Sequence, residues 1–87
     1  MQTIWKYELE TTDTQEVNIP LGAKILDVQV QHGKPCLWAL VDTDRRLRKT
    51  IISTYGTGHN VDRTIAKIYI GTYQLSNGDF VFHVFVD

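Results

Sequence analysis

One cysteine, two prolines and one methionine stand among 87 residues, and each scarcity removes a class of architecture. Cys36 has no partner for an internal disulfide, so the chain is no disulfide-stapled scaffold and suits a reducing compartment. No apolar run approaches the ~20 residues of a membrane-spanning helix, and no apolar leader precedes a cleavage-like site. A soluble, cytoplasmic protein is expected. Charge of one sign is missing too: nine Lys and Arg face ten Asp and Glu, a formal net charge of −1. That balance disfavours a basic module for long nucleic acid or an anionic membrane. The three histidines, His32, His59 and His83, show no metal-ligand spacing. No nucleophile sits beside a base and no carboxylates pair, so the residues do not call for an enzyme, a metal or a cofactor.

What is present is an ordinary globular composition, 43% apolar and 22% charged, which argues against disorder. A single domain over residues 1–87 is expected. So small a domain buries only roughly 60% of the surface its unfolded chain exposes. A ligand site would therefore be a surface cleft, or a groove shared between copies of the chain.

Period-two alternation dominates the chain. Over residues 3–10, Trp5, Tyr7 and Leu9 share one face, with Lys6, Glu8 and Glu10 opposite. Residues 15–19 place Val17 and Ile19 inward, and Pro20 then removes a ladder donor. In 23–31 the inward set reads as Leu26, Val28 and Val30, with Ile25 on the polar face. His32-Gly33-Lys34-Pro35 is a hairpin connection. Cys36 to Val41 is apolar at six consecutive positions and reads as a central strand covered on both faces. A polar loop at 42–46 leads to a β-branched strand over 47–55. Residues 60–66 are loop or one short turn that Asn60 or Asp62 could cap. A strand over 67–75 and the Asn77-Gly78 hairpin signal, suited to a type I′ turn, precede the apolar strand 80–86. His83, among Phe82, Val84 and Phe85, reads as a hydrogen-bonded core histidine.

Seven short strands without a convincing helix make the fold all-β, a small barrel or sandwich of antiparallel strands. The near-loss of alternation at 36–41 and 80–86 points to cover from a second subunit, hence a homo-oligomer.

One stretch departs from the strand-and-turn pattern: Tyr55-Gly56-Thr57-Gly58-His59. Its functional reading is an anion cradle, in which glycines let N–H groups converge on oxygens while Thr57 and His59 add donors. Its plain reading is a glycine-rich reversal after a strand. It is no dinucleotide fingerprint or P-loop, since no long helix follows and no lysine sits within it. Arg45, Arg46, Arg48 and Lys49 form the one local excess of positive charge, either phosphate contacts or a solvated tip neutralised by Asp42 and Asp44. Arg63 follows the motif closely. Trp38 reads as core, whereas Tyr55 could stack on a ligand. The candidate binding set is thus Tyr55, Gly56, Thr57, Gly58, His59, Arg63 and Arg48.

Taken together, Ile4-Trp5-Lys6-Tyr7-Glu8-Leu9, residues 35–42, Tyr55 to His59, Tyr69-Ile70-Gly71-Thr72-Tyr73-Gln74 and Val81-Phe82-His83-Val84-Phe85 resemble a family of small proteins encoded by bacteriophages and prophages. The resemblance covers nearly the whole chain and transfers no site residues. It implies a phage accessory protein acting in the host cytoplasm, with counter-defence as its role. Such a protein could be a sponge that sequesters a nucleotide-derived immune signal in an intersubunit cleft. It could instead be a plug that covers a host defence protein, or a structural or regulatory phage protein without a ligand.

Overall fold

The computed structural model describes residues 1–61 and 67–87. Among them, strands β1 (Gln2–Glu8), β4 (Lys34–Asp42) and β3 (Lys24–Gln31) form one sheet in the order β1-β4-β3. Strands β2 (Thr14–Pro20), β5 (Leu47–Gly56), β7 (Phe80–Val86) and β6 (Ile68–Leu75) form the other, in the order β2-β5-β7-β6. Every pairing is antiparallel. The all-β expectation holds, as an open two-sheet sandwich and not a closed barrel. No helix among the described residues is long and apolar enough to cross a membrane. The short turn considered for 60–66, with Asp62 as one cap, falls at 62–66, outside the described residues.

Turn chemistry sets the local register. His32 (φ 52°) and Gly33 (φ 79°) form a two-residue hairpin loop between β3 and β4, the backbone that matches the twist of paired strands. Asn77 (φ 56°) and Gly78 (φ 92°) occupy the two left-handed positions of the expected type I′ turn, and Asp79 N–H donates to Ser76 O at 3.1 Å.

The inner faces follow alternation. Leu37, Ala39 and Val41 of β4 meet Val28 of β3, Ile19 of β2, Ile52 of β5, and Val84 and Val86 of β7 in one core. Three departures from the sequence reading have local causes. A β-bulge between Ile25 and Asp27 shifts the β3 register, so Leu26 is 44% exposed while Ile25 packs on the core. Trp5 lies opposite Ala39 on the inner face, yet β1 is an edge strand and the ring stays 38% exposed. The run Cys36 to Val41 is covered less evenly than expected: its inner residues are buried, while Trp38 and Leu40 on the outer face are half-buried. There Lys6 of β1 reaches across β4 to donate to Gln31 Oε1 of β3 at 2.9 Å.

The two sheets approach most closely where β3 adjoins β6. A Cβ built on Gly71 would lie 2.9 Å from Val28 Cβ, closer than two packed carbons can stand. Because the obstacle is a Cβ and not a mobile side-chain tip, relief requires the strands to part. Gly71→Ala is expected to cost about 1–3 kcal/mol through overpacking, read as a lowered denaturation midpoint with the far-UV β signature kept.

Candidate functional site

Strand β5 ends at Gly56, and the chain reverses through Gly56-Thr57-Gly58-His59. His59 N–H donates to Gly56 O at 3.0 Å, and Gly58 has φ +87°. A positive φ at the third position is the demand of a type II turn, which glycine meets without a Cβ clash. Gly56 serves another purpose. A Cβ there would stand 2.8 Å from His59 Cε1, so the imidazole lies against a backbone that only glycine leaves bare.

These bonds change the meaning of the stretch. Thr57 N–H is taken by Val81 O at 3.1 Å and His59 N–H by Gly56 O. The converging-donor cradle expected from the glycines is therefore not what the backbone presents. The Thr57 hydroxyl is engaged as well, 2.8 Å from His83 Nε2. His83 Nδ1 in turn lies 3.0 Å from Thr72 Oγ1, which is 2.6 Å from Tyr69 OH. His83 thus corrects its core reading: it is hydrogen-bonded, but half-buried on the outer face of the second sheet, with Tyr55 opposite it on β5 and Thr72 on β6. This side-chain ladder fastens the turn across three strands.

What the turn positions is a cleft of about 470 Å³ on that outer face, bordered by Tyr55, Ser53, Ile51, Thr14, Asp13, His59, Asn60, Lys67 and Asp87. The Tyr55 ring is braced edge-on by Phe85 (centroids 5.8 Å, interplanar angle 73°), and Phe85 meets Tyr69 the same way at 5.6 Å. Lys67 Nζ stands 5.9 Å from the Tyr55 ring centroid, within cation–π range. Asp87 is anchored on its own side: Oδ1 accepts Ile51 N–H at 3.0 Å, and Oδ2 faces Arg48 at 3.7 Å. Among the described residues, no group of three or more His, Cys, Asp or Glu could hold a metal ion.

The sequence-derived candidates therefore separate. Tyr55 and His59 share the cleft, with Gly56, Thr57 and Gly58 as its support. Arg63 lies outside the described residues. Arg48 is seven positions from Tyr55 along β5, roughly 23 Å at the usual rise per strand residue, and it faces the other side of the sheet, opposite Ile19. Ser53, Thr14, Asn60 and Lys67 escaped the sequence reading. Ser53 was findable, since it sits two positions before Tyr55 on one strand face. Thr14 was not, because only the β2–β5 register places it beside Ser53.

The whole chain, residues 1–87, matches the family model described as Domain of unknown function (DUF7352). The chain belongs to the DUF7352 family. No curated protein and no solved structure matches it. For this DUF7352 domain, then, function is argued from the cleft's own chemistry: one braced aromatic ring, hydroxyls, an imidazole, an ammonium and two carboxylates, of which Asp87 is anchored.

Proposed function

We propose that this DUF7352 domain is a binding module and not an enzyme, and that it holds a nucleotide-type ligand in the cleft beside Tyr55 and His59. The observation that carries this reading is the braced Tyr55 ring in a cleft that also contains His59, Ser53 and Lys67. An aromatic ring stacks any base, and the polar side chains are donors for phosphate or ribose oxygens. The volume falls in the roughly 300–1,000 Å³ range of small-molecule clefts. In a phage-encoded protein, which the sequence blocks resemble, such capture would sequester a nucleotide immune signal in the host cytoplasm, with a second copy of the chain closing the open side.

The test is a thermal-shift panel of AMP, ADP-ribose and cyclic di-AMP. At a concentration near a hundred times Kd, one of them should raise Tm by about ten degrees or more. His59→Ala should remove most of that rise, and Arg48→Gln should leave it intact. A panel without a shift, together with specific capture of one host protein, would favour the plug reading. Ile4 and Leu26, 55% and 44% exposed beside half-buried Trp38 and Leu40, are the apolar surface that a plug would use.

A further inference from the structure

We infer that the domain carries a second binding site, which adjoins the Tyr55 cleft at Asp87, for a small aliphatic carboxylate. A cleft of about 440 Å³ opens at one end of the sandwich. Aliphatic side chains of both sheets, Ile19, Ile25, Ile68, Ile70 and Val86, line much of it, with Arg48, Thr50, Tyr69 and Asp87 as its polar groups. The aliphatic part suits a hydrocarbon chain, whose burial is favourable by roughly 25 cal/mol per Å².

The head group is specified by Arg48. Alternation along β5 puts Arg48 on the same side as buried Thr50 and Ile52, opposite Ile19, so a guanidinium points to the inner layer at the mouth of an apolar cleft. A charge placed there is costly unless paired or solvated. Its ion-pair partner among the described residues, Asp87, is at 3.7 Å, and the Arg48 side chain is 50% exposed. The Asp87 carboxylate is meanwhile held to the β5 backbone through Ile51 N–H at 3.0 Å. A guanidinium has five N–H donors in a planar fork, so one long contact leaves it able to take a carboxylate in bidentate fashion.

Arg45 Nη1 lies 3.9 Å from where a Cβ of Gly22 would be, and Gly22 borders the cleft. Arg45 also acts electrostatically on Asp42, so Arg48 is the cleft's own contact for an anion, while the aliphatic walls call for an apolar body. A fatty acid of medium length meets both conditions.

Decanoate below its micelle concentration and decanol below its solubility limit distinguish the two components in ¹H–¹⁵N correlation titrations of the full chain. Decanoate should shift the amides of Gly22, Ala23, Ile68 and Ile70 and leave those of Tyr55 and His59 in place. Arg48→Gln should weaken decanoate at least tenfold and leave decanol affinity unchanged. Arg48 is half-exposed, and the variant's own amide spectrum reports whether it is folded. Absence of decanoate binding, equal binding by wild type and Arg48→Gln, or shifts confined to residues 55–60 would each overturn the inference.

Discussion

Leu37→Ala should lower the free energy of unfolding by about 3 kcal/mol, while Leu26→Ala should change it by less than about 0.5 kcal/mol. The two leucines look alike in sequence, each in an alternating strand. Leu37 sits in β4, the centre of the first sheet, between Tyr7 and Val28, and is 0% exposed. Truncating its isobutyl group to methyl forfeits the transfer term and leaves a cavity that flanking strands cannot close. Leu26 is 44% exposed where the β3 bulge turns it away from the core. A chain of 87 residues has a total stability of roughly 4–13 kcal/mol at 0.05–0.15 kcal/mol per residue. Leu37→Ala therefore removes about a fifth or more of it, and the urea midpoint should fall at an unchanged m-value. Equal losses in the two variants would show that the bulge lies elsewhere.

That pair also marks how far the fold was readable in the amino acids. Alternation and turn residues located all seven strands, and Asn77-Gly78 named its own turn, because both depend on neighbours in sequence. The bulge at Ile25 and Asp27 depends on β4 as a partner, and nothing local announces an extra residue. His83 looked like core because Phe82 and Val84 flank it, yet in a strand the flanking residues face the opposite side. The same parity was available for the candidate site. Arg48 and Tyr55 are an odd number of positions apart on one strand, which sends them to opposite faces; nearness in sequence obscured this. Lys67 and Thr14 join Tyr55 through cleft geometry and strand register, information that no single stretch contains.

Within the Tyr55 cleft, Gly56→Ala should weaken whichever nucleotide gives the thermal shift by about tenfold, nearly as much as His59→Ala, whereas Gly58→Asn should leave binding near wild type. Gly56 is required for space: the new Cβ would sit 2.8 Å from His59 Cε1 and 2.9 Å from Nδ1, so the imidazole must leave its position. The ring is the movable partner, and its removal costs the ligand a hydrogen bond and a wall. Gly58 is required for its φ of +87°, with nothing within 4 Å of a built Cβ. Asparagine tolerates the left-handed region better than other side-chain-bearing residues, so the turn and the His59 N–H bond to Gly56 O survive at a modest stability cost. Isothermal titration of both variants with the responsive nucleotide reads the difference directly. Should Gly58→Asn abolish binding and Gly56→Ala preserve it, the turn backbone and not the His59 imidazole would be the group that meets the ligand, and the cradle reading of Tyr55 to His59 would return.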